Sequence, residues 1–395
     1  MIDLSLDAPP ETPRPVPYRA VLGVLSLVLL AVLAGSAPQP LPRPPAIIPA
    51  RLGDATFLDG NRLFVVGAAG AVAAYELPST RPLGRTAVRV AGGVVGVEEV
   101  GDVLVVGYQY NANGDSGVVG QVLGAATASW RRNARLVATS AADGIALLDD
   151  ESGMIAVDVR TGALRWRVPR PAGGYIAVVG DLFPRLLVLT TDSGRLETYD
   201  SHTGRRLAAV TVPALPGRAN GLLWPVGDLV MVDTGDGFDG YRLPGLERLW
   251  STTVDLSQSW METDCGRLIC TFRQQRGMTA LDPATGRELW RSSRWSWAEP
   301  YGSYLLGSAG EDQVWVIDPA DGEPLGNFGD WRGLGLVDGR LYGMKDNRFY
   351  GVLDPATRRV DYLGTVERVS GDCEVATGVL ICRLVDASVA VWHVG

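Results

Sequence analysis

The stretch LDPATGRELW, residues 281–290, decides the fold. Two apolar, β-like runs flank a Pro-Ala-Thr-Gly turn, and a tryptophan closes it. Asp282 ends a strand, where its carboxylate can accept a backbone N–H two residues on and so start an Asx turn. Pro283 fixes φ at about −65°. Gly286 supplies the positive φ that a short hairpin loop needs. Trp290 follows on the next strand, where a large flat ring packs against a neighbour while its N–H takes a backbone acceptor. Each residue type suits a hairpin that fastens one sheet to another, and none of them needs a substrate.

The hairpin recurs. GMIAVDVRTGALRW covers 153–166, RLETYDSHTGRRL 195–207, GMTALDPATGRELW 277–290, QVWVIDPADGEPL 313–325 and RFYGVLDPATRRV 348–360. Asp158, Asp200, Asp282, Asp318 and Asp354 hold equivalent places and are separated by 42, 82, 36 and 36 residues. Gly162, Gly204, Gly286 and Gly322 follow them, and Trp166 and Trp290 close two copies. The long gap contains a weaker copy, GYRLPGLERLW at 240–250, ending in Trp250. Two more weak copies lie upstream, VVGQVLGAATASW at 118–130 and AAYELPSTRPL at 73–83, and a partial one, SVAVWHVG, ends the chain. A period near 40 residues with short alternating strands means the blades of a β-propeller. One unit reads as four strands, SWMET, LICTF, GMTALD and ELWRS. The aspartates are therefore turn formers rather than catalytic acids.

The D-x-x-T-G-x-x-x-W pattern resembles the tryptophan-docking repeat of the quinoprotein-alcohol-dehydrogenase-like propellers, also called PQQ-like repeats, over about 54–395. The copies reach nine if the first and last fragments are both counted, but that resemblance implies an all-β fold of eight four-stranded blades, and eight is the expectation. The family includes dehydrogenases that bind pyrroloquinoline quinone and calcium. It also includes non-enzymatic propellers such as the lipoprotein subunit of the outer-membrane barrel assembly machinery. The dehydrogenase branch carries adjacent cysteines over the quinone and a Glu-Asn-Asp calcium set in the channel. Here no two cysteines are adjacent, and no such set can be placed on the sequence. No cofactor is expected, neither the quinone nor calcium. The C-terminal fragment has only three strands, so a segment near 45–57 is expected to supply its fourth and close the ring.

Residues 1–18 read as a short Pro-rich cytoplasmic tail and 19–37 as a transmembrane anchor, because Ala20–Ala37 carries no charge in 18 residues. A helix of that length spans roughly 27 Å, close to the hydrocarbon core of a bilayer. A cleaved signal peptide is the rival reading, although its apolar core is usually shorter and its flank more basic. Residues 38–53 form a Pro-rich spacer, stiff and extended. The 36 basic residues include one lysine, Lys345, and the bias to Arg, Ala, Gly and Pro suggests a GC-rich bacterial genome. A net charge of −8 argues against nucleic acid, which needs basic stripes.

Arginines flank the apolar stretch evenly, so orientation rests on the cysteines. Thr377-Gly378 can form a two-residue hairpin turn; counting outward, Cys373 then faces Cys382, within disulfide reach. Cys265 and Cys270 form a second close pair with a less certain register. Paired cysteines in hairpins suit an oxidising compartment, which places the propeller outside the cytoplasm. Four buried thiols are the alternative, and a zinc site fits the spacings poorly.

Catalytic patterns are thin. His202 lies in a repeat turn and His393 near the C-terminus. YNANGDSG at 110–117 alternates like a calcium loop but lacks the glycine and glutamate of an EF-hand, and reads as a polar hairpin. LLDDESG (147–153) and DTGDGFDG (233–240) are acidic loops of the same kind. The better clue is aromatic. Trp224, Trp260, Trp297, Tyr301 and Trp331 all fall at or near the first strand of a unit, where they could line one face of the disc. Such rims bind peptides or glycans, because flat rings give contact area at low entropic cost. The expectation is a membrane-anchored, extracytoplasmic, non-catalytic binding scaffold with a protein, peptide or glycan partner. A divergent quinoprotein oxidoreductase or a cell-envelope hydrolase is the competing reading.

Overall fold

The computed structural model describes residues 44–395 apart from 69, 111–114, 126–127, 181, 192, 215–222, 257–258, 311–312, 377 and 395, with the backbone alone at 260–264. The expected tail, the anchor and residues 38–43 of the spacer lie outside the described residues. Among those described, no helix is long and apolar enough to cross a membrane.

Thirty-six strands form nine four-stranded antiparallel sheets among the described residues, and nearly all of them pair in chain order. The blades run over 55–87, 93–132, 135–169, 175–211, 223–252, 260–292, 297–327, 332–365 and 369–393. The ninth takes its outermost strand from the other end of the chain: Ala46–Ile48 pairs with Val389–His393, Ala46 opposite Val391 and Ile48 opposite Val389. The ring therefore closes as expected, but with nine blades and not the eight that the resemblance implied. The extra blade arises because weak copies are still whole blades. Those at 118–130 and 240–250 lost the aspartate of the turn yet keep all four strands, and the final fragment is completed by Ala46–Ile48.

The second and third strands of each blade are packed on both sides and read as apolar runs, such as Ile145–Asp150 (IALLDD) and Leu186–Thr190 (LLVLT). Their side chains form nine clusters, each bridging two consecutive blades. Leu196 and Val188 meet Val230 and Tyr241 between blades 4 and 5. The last cluster joins Val379, Ile381 and Val389 of blade 9 to Leu63, Val65 and Tyr75 of blade 1. The core is thus nine wedges, and stability is a sum over joints, as in other repeat proteins. Two disulfides tie neighbouring strands, Cys265–Cys270 in blade 6 and Cys373–Cys382 in blade 9, the latter in the register Cys373 opposite Cys382.

The repeat turns are the outer fasteners of these joints. Trp130 donates its indole N–H to the Val159 carbonyl (2.7 Å), Trp166 to His202 (2.9 Å), Trp250 to Pro283 (2.8 Å) and Trp290 to Pro319 (2.9 Å). Each acceptor belongs to the next blade. The turn glycine is the floor on which that indole lies. A Cβ on Gly286 would come within 2.4 Å of Trp250, and one on Gly322 within 2.7 Å of Trp290. These glycines also hold positive φ, 68° and 77°, so both demands fall on one residue.

Where the tryptophan is missing, the next blade compensates. Blade 4 has Ala208 at that place, and Leu246 of blade 5 fills the space above it. The lost indole hydrogen bond is replaced by Thr198, whose hydroxyl donates to the Pro244 carbonyl (2.7 Å). Blade 7 has Gly326, and Arg358 of blade 8 stands where the glycine would be. A Cβ on Gly326 would meet Arg358 Cδ at 2.6 Å, so the filler now comes from the opposite side of the joint.

Candidate functional site

Strand direction sorts the loops into two faces. Turns between strands 1 and 2, and between 3 and 4, lie on one face, with all the fasteners. Turns between strands 2 and 3, and the connectors between blades, lie on the other.

On the fastener face the repeat aspartates are occupied. Asp158 Oδ1 accepts the N–H (2.9 Å) and hydroxyl (2.8 Å) of Thr161, and Arg165 pairs with Oδ2 at 2.6 Å. The hydrogen bond from Arg165, then that from Thr161, pulls this carboxyl down to about 2. Asp200 is held low against the burial that works to raise it, by the hydroxyl and N–H of Thr203. Asp282 is lowered by the N–H of Ala284 and the hydroxyl of Thr285, and Asp354 by the hydroxyl of Thr357. Asp318 accepts the Ala320 N–H at 2.8 Å. All five serve as hydrogen-bond acceptors in their own turns.

One serine, aspartate and histidine do come together here. Ser140 donates to Asp143 Oδ2 (2.6 Å), and His202 Nδ1 lies 2.7 Å from the same oxygen. The hydroxyl of Ser140, then His202, depresses the Asp143 carboxyl. A hydrolase needs the serine on the imidazole and the imidazole on the carboxylate. In this set the carboxylate stands in the middle and Ser140 is buried, so the imidazole does not reach the hydroxyl to activate it. The set joins blades 3 and 4, with Phe183 packed 4.9 Å from the His202 ring.

Two buried carboxylates deeper in the blades, Glu197 and Asp239, are likewise satisfied. Glu197 is held by Arg195, Arg206 and Tyr199. Asp239 accepts from Ser251 (2.6 Å), Tyr241 (3.2 Å) and Arg248 (3.4 Å). Burial, reinforced by these carboxylates, pushes the Tyr199 and Tyr241 hydroxyls up to about 12. Among the described residues, no group of three or more His, Cys, Asp or Glu side chains is placed to hold a metal.

Three clefts among the described residues lie on the connector face. One of about 570 Å³ sits at the ring-closing joint, among Asp54, Arg332, Asp372, Glu374 and Arg383. Its arginines are fixed by backbone carbonyls, Arg332 by Gly371 (2.9 Å) and Arg383 by Asp54 (2.7 Å) and Ala387 (2.9 Å). A second, about 520 Å³, lies between blades 2 and 3 by Tyr110, Asp115, Asn133 and Glu151. The acidic loop 147–153 borders it but is neutralised, since Asp149 pairs with Arg135 and Arg170. In the loop 110–117, Asn111 and Asn113 lie outside the described residues. In the loop 233–240, Asp233 accepts the Gly235 N–H at 2.7 Å. A third cleft, about 380 Å³, lies between blades 7 and 8 and contains Trp297 and Glu299.

The five sequence-selected aromatics do not form one rim. Trp224, Trp260, Trp297 and Trp331 stand at the start of first strands, on the connector face, whereas Tyr301 ends its strand on the fastener face. Trp224 stacks on Phe238 of its own blade, centroids 4.8 Å apart and planes 21° from parallel. Tyr301 donates to the Gly339 carbonyl (2.9 Å), and both Tyr301 and Trp331 pack on the apolar cluster between blades 7 and 8. The side chain of Trp260 lies outside the described residues. Of the four whose side chains are described, Trp297 lines one of these three clefts. The sequence reading passed over Trp295, which is buried in the joint between blades 6 and 7 and donates to the Gly322 carbonyl at 2.8 Å. It has no repeat partner, so no spacing could have marked it. Glu299 was passed over as well.

These features define a nine-bladed β-propeller with a fastened face and a cleft-bearing face. No family model matches the sequence, and no curated protein does. Solved structures similar to it include BamB from Moraxella catarrhalis, at 14% identity and TM-score 0.46 over 90% of this chain and 98% of that one. The computationally designed Ika8 protein is similar at 12% identity and TM-score 0.44, over 89% and 98%. The dihydro-heme d1 dehydrogenase NirN, solved in complex with DHE, is similar at 14% identity and TM-score 0.46, over 87% and 84%. The fold assignment here rests on strand order and blade-to-blade packing.

Proposed function

We propose that this protein is a membrane-anchored propeller that works outside the cytoplasm as a non-catalytic binding scaffold, with the connector face as its working surface. The observation that carries this reading is the segregation of the two faces. Clefts of about 380, 520 and 570 Å³ lie among connectors and turns that do not repeat, while the repeated turns spend their polar groups on one another. Rigid scaffolds present variable loops in this way. The uncharged stretch at 20–37 supplies the anchor in this reading, and the paired cysteines suit an oxidising compartment.

The test is site-specific photo-crosslinking in intact cells. A photoreactive residue at Glu151 or Asp372 on the connector face should give a discrete protein adduct, and one at Arg205 or Asp321 on the fastener face should not. Equal labelling from both faces, or none from either, would sink the proposal.

A further inference from the structure

The cleft between blades 7 and 8 contains a carboxylate with no ion partner among the described residues. Glu299 sits in the middle of the strand Trp297–Tyr301, opposite Leu306. Around it the cleft is mostly apolar, with Trp297, Leu306, Val314, Leu334 and Leu341. Gly307, Gly333 and Gly335 leave part of the wall without side chains, and Ser308 and Gln313 give it a polar edge. Three other buried carboxylates have arginines: Glu99 has Arg62 from the neighbouring blade, while Glu197 has Arg195 and Arg206, and Asp239 has Arg248, within their own blades. Burial with no opposing charge pushes the Glu299 carboxyl up. A half-buried carboxylate in an apolar wall is costly until a cation meets it.

Trp297 stands in the same cleft, and among the described residues no other ring or guanidinium stacks on it. An indole face and a carboxylate beside aliphatic walls suit a cation on an apolar stem. One carboxylate suits a compact ammonium better than a planar guanidinium, which seeks paired acceptors. The chain has a single lysine, Lys345, and it is already engaged with Asp330 at 3.1 Å. The occupant therefore comes from another molecule.

We infer that this cleft is a docking pocket for a lysine side chain of a partner polypeptide, with its methylene stem along Trp297 and Leu334 and its ammonium at Glu299. The inference rests on the scaffold reading and narrows it to a chemistry.

The test is fluorescence anisotropy with the full chain and a labelled Gly-Ala-Lys-Ala-Gly peptide, against the same peptide with norleucine for lysine. The lysine peptide should bind about tenfold or more tightly. Glu299→Gln should abolish that preference, and Glu299→Asp should keep part of it. As pH falls, the preference should fade from above the ordinary carboxylate range, because Glu299 protonates early. The thermal midpoint of Glu299→Gln should hold or rise, since an uncompensated charge is removed. Equal affinity for the two peptides, an unchanged preference in Glu299→Gln, or a fall in its midpoint would overturn the inference. If the peptides behave as expected while crosslinking recovers no protein, the scaffold reading fails and the lysine pocket stands. Adducts with no peptide preference would mean the reverse.

Discussion

On one face of the ring, the turns at 158–162, 200–204, 282–286 and 318–322 repeat one chemistry, an aspartate that caps its own turn and a glycine that receives the preceding blade's indole. On the other face, connectors range from two residues at 133–134 to eleven at 212–222, and no two share a spelling. The difference teaches where each kind of information resides. A joint between blades is the same problem solved nine times, so selection for packing writes it periodically. A cleft has to suit one occupant and is written once.

Four experiments would break or sharpen that contrast. The largest effect is expected from Trp290→Ala, whose ring is 7% exposed and anchored at Pro319. It should cost about 3–5 kcal/mol in denaturant unfolding and leave affinity for the lysine peptide unchanged. Parallel loss of both would mean that the faces are not separable. Replacing both Cys373 and Cys382 by alanine should cost about 2–3 kcal/mol for a loop of this length, read under non-reducing conditions. A difference between wild type and variant that persists when both are reduced would place its origin elsewhere than in the bond.

The joint between blades 7 and 8 allows a swap. Gly326→Trp alone should destabilise by about 1–3 kcal/mol, because Arg358 already occupies the space. Adding Arg358→Gly should recover most of it, with a coupling of about 1–2 kcal/mol in the double-mutant cycle. Additive losses would refute the compensation described for that joint.

The smallest effect concerns pH. Asp158 is depressed to about 2, and Asp200, Asp282 and Asp354 are lowered as well. A depressed carboxyl stabilises above its unfolded value and loses that contribution as pH falls through its folded value. Stability should thus be flat above about pH 5 and decline toward about pH 2. Asp158→Asn should flatten part of that decline at a cost of about 1 kcal/mol at neutral pH. An unchanged acid profile in the variant would remove Asp158 from the account.

The fold was legible because its chemistry is local and repeated. Asp282, Gly286 and Trp290 announce a turn and a dock from ten residues, and the Cys373–Cys382 register follows from counting around Thr377-Gly378. The blade number was missed because the expected eight came from the resemblance and not from the copies, which reach nine when the first and last fragments are both counted; blades 2 and 5 keep strands such as Val103–Gln109 without the turn aspartate. The pairing of Trp250 with Gly286, and of Gly326 with Arg358, spans a blade and becomes readable only once the joints are known. The aromatic clue was half informative. Position along a strand gives the face, but Trp224 has Phe238 beneath it and Tyr301 reaches Gly339. Glu299 left no signal in sequence. Its distinction is the absence, among the described residues, of an ion partner, and that is a property of two blades in space.

The composite ninth blade bears on quality control during synthesis. Ala46–Ile48 is made early and has no partner until Val389–His393 has been made. A chain stopped early, or clipped in its last blade, is left with an unpaired edge at 46–48 and with Leu63, Val65 and Tyr75 of the first blade uncovered. Such edges invite aggregation and proteolysis. The ring therefore tests its own length, and an incomplete molecule presents the kind of surface by which it can be removed.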